Sequence, residues 1–327
     1  MARESFAIGT VRVRPGRSRE VGLPITRLVT GGDVSLPVRV IHGRDEGPAV
    51  WLSAAIHGDE VVGVEVIRRV LARLSAVEVR GTLIAIPVVN VLGFMAGDRY
   101  LPDRRDLNRS FPGSARGSLA SRLAHQVMTE VVAKCDIGID LHTGADGRTN
   151  LPQIRADLDD ARTRDLAEAF GAPVIYHAKL RDGSLRSAAR DHGATVLLYE
   201  GGESWRFDEW AIEAGVSGVR RVLAHLGMTE PVDEVSVPPS LVCRSSAWVR
   251  APGTGILRME ASLGQRVLPG DRLGALSDSF GKRPRVVRAD RAGIVIGRTE
   301  APVVNRGDAV VHIGSVEAQP PEDHPLD

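Results

Sequence analysis

An apolar run that ends abruptly in a histidine most strongly constrains the fold of this chain. The run extends from Val50 to Ile56, and His57, Gly58 and Glu60 follow it. A short apolar run closed by a glycine turn predicts a buried strand. Residues 61–74 then carry apolar side chains at helical spacing, which predicts a helix. His57 and Glu60 therefore lie at a strand-to-helix junction, where α/β proteins place their ligands.

The residue types at this junction suit a metal ion. A histidine and a carboxylate three residues apart can face one ion, and such ligands suit Zn²⁺. The pair alone is a weak signal, because a chain with nine histidines can contain it by chance. However, the run from Asp136 to Leu141 also ends in a histidine, His142, before a glycine. His57, Glu60 and His142 would form a catalytic zinc set with a fourth position open for water.

Two further stretches add candidate chemistry. The apolar run that begins at Thr195 ends in Glu200, and an acid at a strand end beside a metal is the expected place for a general base. On its own, Glu200 could equally be a helix cap or a surface carboxylate. The connection 90–117 is rich in glycine, proline, aspartate and arginine. A connection of that length inside a compact domain is usually functional.

The pattern along the chain predicts an α/β fold. Residues 1–48 read as a β segment packed on the catalytic domain, with strands over 25–29 and 38–42. Over 49–228, strand and helix patterns alternate, which predicts a mostly parallel or mixed sheet covered by helices. The predicted strands are 50–56, 82–89, 136–141, 173–176 and 195–200, and the predicted helices are 60–74, 118–134, 157–170, 183–192 and 208–226.

A change in composition predicts a second domain. Prolines mark a linker over 229–240, and residues 241–316 contain short apolar pairs separated by glycines. The stretch 250–257 is echoed by 288–295, so two pseudo-repeats are expected to form a small β-barrel or a flattened sandwich. The tail 317–327 is expected to be disordered.

The C-terminal repeats resemble biotinyl/lipoyl-type domains, which carry a cofactor on a lysine at a hairpin tip. Between the repeats this chain has only Lys282, and it lacks the methionine that usually stands beside that lysine. A structural or assembly role is therefore expected for the C-terminal domain.

Bulk properties exclude several classes of function. The net charge is +1 and no basic block occurs, which argues against nucleic-acid binding. Cys135 and Cys243 lie far apart and fit a reducing compartment. No signal-peptide pattern and no apolar run of about 18 residues occurs, so a cytoplasmic protein without a membrane segment is expected.

These motifs together resemble the zinc carboxypeptidase superfamily, and more closely its succinylglutamate desuccinylase/aspartoacylase branch. The resemblance covers about 50–202 and weakens toward the linker. It implies a zinc-carboxypeptidase-like mixed sheet with helices on both faces, followed by an all-β domain. The motifs appear in the family's order: His57-Gly58-Asp59-Glu60, Asp106-Leu107-Asn108-Arg109, Asp140-Leu141-His142, and then Glu200.

The resemblance assigns the chemistry to particular residues. One Zn²⁺ per chain would be bound by His57, Glu60 and His142. Glu200 would be the general base that activates the zinc-bound water and then protonates the leaving amine.

The resemblance also assigns the residues around the metal. Arg99 would stabilise the tetrahedral oxyanion, and Asp106 would orient His57. Asn108 and Arg109 would hold the substrate's carboxylate, where a guanidinium fork allows a bidentate contact.

Four nearby side chains lie outside this assignment. Asp59 is expected to cap the helix that follows it. Asp140 points to the same strand face as His142, and a contact with that histidine is left open. Glu203 and Trp205 follow the candidate base, and whether they line the pocket is also open.

The sequence therefore predicts a zinc-dependent amidohydrolase that removes an acyl group from a small N-acyl amino acid. A metallocarboxypeptidase acting on short peptides is the alternative within enzymes, and a non-catalytic binding protein is the alternative from another class. The acyl group stays open, with acetyl and succinyl among the candidates, and an N-acetylated diamino acid is one candidate substrate. Arg109 predicts that the substrate keeps a free carboxylate. A homo-oligomer is also left open.

Overall fold

A computed structural model describes residues 3–145, 147–231 and 238–317. Half of the predicted linker, 232–237, and nearly all of the predicted tail, 318–327, lie outside the described residues. None of the described helices has the length and apolar character needed to cross a bilayer.

The described chain is built from strands, α-helices and two short 3₁₀ helices. The strands are β1 (Phe6–Ile8), β2 (Val11–Val13), β3 (Arg17–Arg27), β4 (Asp33–His42), β5 (Ala49–Ala54), β6 (Thr82–Ile86), β7 (Ile137–Gly144), β8 (Arg148–Ala156), β9 (Val174–His177), β10 (Thr195–Glu203), β11 (Leu241–Arg250), β12 (Gly255–Met259), β13 (Arg266–Val267), β14 (Arg272–Ser277), β15 (Arg285–Arg288), β16 (Gly293–Thr299), β17 (Val303–Val304) and β18 (Ala309–Val316). The helices are α1 (Val62–Ala72), α2 (Val91–Ala96), α3 (Leu119–Glu130), α4 (Ala161–Phe170), α5 (Leu185–Asp191) and α6 (Glu209–His225), with 3₁₀ turns at Leu107–Arg109 and Val132–Lys134.

One twelve-stranded mixed sheet runs through the molecule. Its strand order is β13-β16-β18-β11-β9-β8-β10-β7-β5-β6-β4-β3. The four strands β6, β5, β7 and β10 are parallel to their neighbours within that group. The carboxyl ends of these strands therefore meet at one edge of the sheet, where ligands bind in open α/β sheets.

Both faces of the central sheet are apolar because helices cover both. Val50 and Leu52 of β5 pack into one core with α1, α4 and α6. Trp51, between them, packs into the other core with α3 and α5. A strand buried on both faces reads as a continuous apolar run, which is why Val50–Ile56 stands out in the sequence. The predicted mixed α/β class is confirmed.

Two elements of this half were not predicted. Helix α2 lies within the connection 90–117 and begins where the Asn90 side chain accepts a hydrogen bond from the backbone N–H of Gly93 at 2.8 Å. Strand β8 contains Pro152, which disfavours a strand assignment. The pairing of β8 with β10 shifts register between Glu200 and Gly202, opposite this proline, so a bulge accommodates it.

The C-terminal strands divide between two sheets. A separate sheet has the order β15-β14-β12-β17, whereas β11, β13, β16 and β18 extend the large sheet. A core that includes Leu257, Leu273, Val295 and Val311 lies between them. The C-terminal region is therefore all β among the described residues, and its closure into a biotinyl/lipoyl-like barrel stays a prediction.

The sequence repeat explains this division. Strands β12 and β16 begin the two repeats, and each lies in a different sheet. The short strand of each repeat pairs with the first strand of the other repeat: β13 pairs with β16, and β17 pairs with β12. Exposed Lys282 lies between β14 and β15.

The packing of α6 against α4 gives a test of the core. A Cβ atom on Gly218 would lie 2.1 Å from the ring of Phe170, which is fully buried. Gly218→Ala should lower the free energy of unfolding by about 1–3 kcal/mol, because overpacking outweighs the gain in helix propensity. Urea denaturation measures this change.

The matched control is Ser217→Ala, one residue earlier in the same helix, where the side chain is only half-buried. It should be neutral or stabilise the protein by a few tenths of a kcal/mol. Equal destabilisation by both changes would contradict the packing argument.

Candidate active site and metal centre

The candidate site lies where two adjacent parallel strands end. β5 and β7 pair so that Ser53 stands opposite Asp140. After β5 the chain leaves the sheet through Ala55, which has a left-handed backbone with φ of 50°. The backbone N–H of Asn90 donates to the carbonyl of Ala55 at 2.8 Å and stabilises this turn. The turn brings His57 toward the end of β7.

The loop that carries His57 requires a glycine at position 58. A Cβ atom there would lie 2.2 Å from the carbonyl carbon of Gly93 at the start of α2. Because backbone atoms cannot yield as a flexible side chain can, α2 fixes the position of this loop. Helix α2 therefore supports the ligand loop.

The three predicted metal ligands converge. Nδ1 of His57 lies 2.7 Å from Oε1 of Glu60, and Nδ1 of His142 lies 2.7 Å from Oε2 of the same carboxylate. One ligand atom from each residue lies within 4.8 Å of the others, and all three residues are buried. Two imidazole nitrogens and a carboxylate at this spacing form a donor set suited to Zn²⁺.

Each histidine also contacts an outer carboxylate through its second nitrogen. Nε2 of His57 lies 3.2 Å from Oδ1 of Asp106, and Nε2 of His142 lies 2.8 Å from Oδ2 of Asp140. The Ser53 hydroxyl donates to the other oxygen of Asp140 at 2.7 Å. These carboxylates orient the rings with Nδ1 directed inward, because a metal-binding histidine is commonly fixed by a carboxylate at its other ring nitrogen.

The acidic and basic groups of the cluster shift each other's pKa in opposite directions. Burial acts to raise the pKa of Glu60, but His57 and His142 hold it well below its usual range. Burial acts to lower the pKa of His142, but Asp140 and Glu60 raise it well above its usual range. A buried carboxylate of this kind stays ionised only with positive charge beside it, either on protonated histidines or on a cation.

Arg99 lies directly against the ligand cluster. Its Nη1 donates to Oε1 of Glu60 at 2.9 Å, and its Nη2 lies 3.7 Å from Oδ2 of Asp106. Its backbone carbonyl also accepts hydrogen bonds from Gly58 N and Asn90 Nδ2. The guanidinium thus supplies a positively charged wall next to the three ligands.

Glu200 stands beside His142 in the sheet. The two residues are partners in the parallel pairing of β10 with β7, so their side chains point to the same face. Asn150 Nδ2 donates to Oε2 of Glu200 at 2.7 Å, and Nη1 of Arg155 lies 3.2 Å from Oε1. Asn150 and Arg155 were not predicted from the sequence, because both lie on the unpredicted strand β8.

Asn108 and Arg109 occupy a 3₁₀ turn at the mouth of the site. The Asp106 carboxylate caps this turn by accepting from the backbone N–H of Asn108 at 2.8 Å. Oδ1 of Asn108 accepts from the backbone N–H of Leu185 at 2.9 Å, which leaves its NH₂ group for other partners. Arg109 is exposed and bonds its guanidinium to the carbonyl of Asn108.

Two predictions about neighbouring residues have definite outcomes. The prediction that Asp59 caps α1 is wrong, because the N-cap of that helix is Val61 and has no side-chain cap. Oδ1 of Asp59 is buried without a hydrogen-bond partner in the described structure. The contact left open for Asp140 is present, since it bonds His142.

All the predicted site residues except Asp106 line one cavity of about 650 Å³. Its far wall comes from β11 of the C-terminal region, with Arg244, Ser246 and Trp248 among the lining residues. No sequence motif marked this wall. The lining set does not include Glu203 or Trp205.

A second group of metal-ligand residue types, Asp157, Asp159 and His177, lies close together. Its carboxylates already pair with arginines, Asp157 with Arg190 at 2.9 Å and Asp159 with Arg244 at 2.7 Å. This group is therefore a set of ion pairs at the rim of the cavity.

Comparison with known proteins shows which sequences and folds this chain is similar to. Residues 46–226 match the profile of the succinylglutamate desuccinylase/aspartoacylase catalytic domain. The chain is 30% identical over 298 residues to N-alpha-acetyl-L-2,4-diaminobutyric acid deacetylase of Halomonas elongata, a match that covers 87% of each chain.

Two solved structures are similar over nearly the whole chain. One is a succinylglutamate desuccinylase/aspartoacylase from Rhodobacter sphaeroides, with a TM-score of 0.82, 30% identity and coverage of 93% of this chain and 97% of the other. The other is the product-bound ectoine utilization protein EutE (DoeB) from Ruegeria pomeroyi, with a TM-score of 0.84, 28% identity and coverage of 96% and 98%.

The outer carboxylates give a test of the metal centre. Asp140→Asn removes the charge that orients His142 and should weaken zinc binding about 10–100-fold, as loss of such partners does in other metal sites. Competition with a chromogenic chelator measures the affinity. Asp136→Asn, just before the same strand, is the control and should bind zinc as the wild type does. Unchanged affinity in Asp140→Asn would contradict the assignment.

Proposed function

Because this chain belongs to the succinylglutamate desuccinylase/aspartoacylase family, we propose that it is a zinc-dependent amidohydrolase that removes the acyl group from a small N-acyl amino acid. The observation that carries this proposal is the convergence of His57, Glu60 and His142 beside Glu200 in one cavity. The deacetylase activity named for the Halomonas relative supports it.

The donor set fits a zinc ion, since two inward-facing Nδ1 atoms and a carboxylate match its preferred ligands. When bound, zinc would polarise the acyl carbonyl and make a water molecule more nucleophilic. The inward direction of both rings depends on Asp106 and Asp140. We therefore assign His57, Glu60 and His142 as ligands and the two aspartates as their orienting partners.

Glu200 is proposed to move the proton. Its carboxylate is held by Asn150 and Arg155 on one side and stands next to His142 on the other. From there it would accept a proton from the attacking water and deliver it to the nitrogen of the leaving amine. Cleavage of an amide needs both transfers, because the amine is a very poor leaving group unless its nitrogen is protonated as the C–N bond breaks.

Arginines are proposed to stabilise the negative charges of substrate and transition state. Arg99 contacts Glu60, and its guanidinium would stabilise an oxyanion that develops beside the ligands. Arg109 reaches the cavity, and among the described residues its only hydrogen-bond partner is the backbone carbonyl of Asn108. Together with the NH₂ group of Asn108, it would hold the free carboxylate of the amino acid.

The cavity favours a small substrate over a peptide. Its volume of about 650 Å³ is in the range of small-molecule sites. Because β11 of the C-terminal region forms one wall, an extended peptide would meet that strand. This wall therefore favours a deacylase over the metallocarboxypeptidase alternative. We also propose that the central sheet is of the zinc-carboxypeptidase type.

The location proposed for the enzyme is the cytoplasm. Cys135 and Cys243 are both free thiols, as a reducing compartment favours.

Metal removal and a substrate panel test the reaction class. Dialysis against a chelator should abolish amine release, and one equivalent of Zn²⁺ per chain should restore it. The panel comprises N-acetyl and N-succinyl amino acids, N-acetyl-diaminobutyrate and dipeptides, with released amine measured by a fluorogenic reagent. Release from dipeptides alone would favour the carboxypeptidase reading, and release from none with no bound zinc would favour a binding protein.

Glu200→Gln tests the proton-transfer role. The amide keeps the shape of the side chain but cannot accept the proton, so kcat should fall about 10²–10⁴-fold with zinc content unchanged. Glu203→Gln is the matched control on the same strand, outside the cavity lining, and kcat should stay within about fivefold. A Glu200→Gln enzyme with nearly full activity would refute the assignment.

A further inference from the structure

We propose that Trp205 is a positioning residue for the reaction, whose indole ring fixes the segment that carries Arg99. This inference rests on the proposed deacylase function and adds a residue from outside the cavity lining. Trp205 lies two residues beyond β10, the strand of Glu200, and is 53% exposed. It acts through its neighbours and not through contact with the substrate.

The backbone of Trp205 has an unusual conformation. Its φ of 61° lies in the left-handed region, which a bulky residue rarely adopts. Such a conformation is unfavourable and persists only where the surrounding contacts enforce it. At Trp205, several of these contacts lead to the candidate metal centre.

Two successive backbone hydrogen bonds join this turn to the candidate metal centre. The N–H of Ser204 donates to the carbonyl of Gly144, the last residue of β7, at 3.0 Å. The N–H of Trp205 donates to the carbonyl of Asp59, directly before Glu60, at 2.9 Å. The turn after β10 therefore ties together the two segments that supply the proposed metal ligands.

The indole ring of Trp205 covers the end of helix α2. A Cβ atom on Gly97 would lie 2.8 Å from Cζ2 and 3.1 Å from Cη2 of Trp205, so the ring packs directly on this glycine. Gly97 is the C-cap of α2 and has a φ of 71°. Because glycine has more accessible backbone conformations than any other residue, the ring restricts a segment that could otherwise move.

The segment restricted in this way leads directly to Arg99, two residues beyond Gly97. The carbonyl of Arg99 accepts from the backbone N–H of Gly58 at 3.4 Å and from Nδ2 of Asn90 at 3.2 Å. Residues 97–99 therefore contact both the ligand loop and the indole ring. A group that stabilises an oxyanion must lie about 2.7–3.1 Å from it, so loosening this segment lowers the rate of the reaction more than the affinity for substrate.

The proposed carboxylate-binding pair is positioned by other residues. The 3₁₀ turn of Asn108 and Arg109 is capped by Asp106, and the backbone N–H of Leu185 holds the Asn108 side chain. Loss of the Trp205 ring should therefore leave this pair in place. The proposal thus predicts a change in kcat without a matching change in KM.

Trp205→Gly tests the proposal. Glycine adopts a left-handed φ without strain, so the backbone hydrogen bonds are kept and only the ring is lost. With the best substrate of the panel, kcat should fall about 10–100-fold while KM stays within about threefold. The variant should still bind one zinc ion per chain. Loss of zinc would show that the ring has a general structural role and would overturn the inference.

Two further variants test whether the aromatic ring itself is needed. Trp205→Phe keeps a smaller ring over the glycine and should have a kcat between those of the wild type and Trp205→Gly. Trp210→Ala removes another exposed tryptophan, at the start of α6, and should leave kcat within about twofold. An equal loss of kcat in Trp210→Ala and Trp205→Gly would contradict the proposal.

A double-mutant cycle tests the contact between the ring and α2. Gly97→Ala introduces the Cβ atom that the ring excludes, so it should lower kcat about tenfold in the wild type. In the Trp205→Gly background the ring is absent, and the same change should lower kcat less than about threefold. Equal effects in both backgrounds would show that the contact does not position Arg99.

Amide hydrogen exchange distinguishes this inference from the proposed function, because it needs no substrate. The amides of Gly97 and Asp98 donate to carbonyls of α2, and they should exchange about tenfold faster in Trp205→Gly than in wild type. Amides of α4 should exchange equally in both. If no N-acyl amino acid is cleaved but exchange differs, the proposed function fails and the restraint by the ring is supported. If cleavage occurs and Trp205→Gly changes neither kcat nor exchange, only the positioning role fails.

Discussion

The buried carboxylate of Glu60 is the group on which the rest of the site depends. It bridges the inward nitrogens of His57 and His142 and also accepts a hydrogen bond from Arg99. An ionised group at that depth is stable only if its surroundings supply positive charge and hydrogen-bond donors. Two parallel strands, the left-handed turn at Ala55 and helix α2 are the means by which the fold brings those groups together.

The sequence predicted the central ligands because each follows an apolar strand, and parallel strands end at one edge of a sheet. It did not predict β8, because Pro152 interrupts the strand pattern and is accommodated only by a bulge in β8 itself. Asp59 was assigned to capping from its position alone, whereas its Oδ1 is buried without a hydrogen-bond partner among the described residues. Asn150 and Arg155 were missed with β8, since a contact across strands leaves no signal within either segment.

The cavity wall formed by β11 could not be predicted from the sequence for a different reason. Its repeats predicted a self-contained domain, and internal symmetry carries no information about which strands pair with the catalytic sheet. β11 pairs with β9, and β16 pairs with β8. Strands from both repeats therefore extend the catalytic sheet. Trp248 thereby reaches the cavity from more than 100 positions beyond His142 in the chain.

Because the catalytic and C-terminal regions share one sheet, the C-terminal repeats do not form a separate folding unit. Were residues 241–316 removed, the edge of β9 that faces β11 and the edge of β8 that faces β16 would be left without partners. Unprotected sheet edges of this kind recruit strands from other molecules. Exchange of C-terminal regions between relatives would thus have to preserve the strand register with β8 and β9 before it could transfer substrate specificity. The width of the cavity is in turn set by the backbone pairing of β11 with β9.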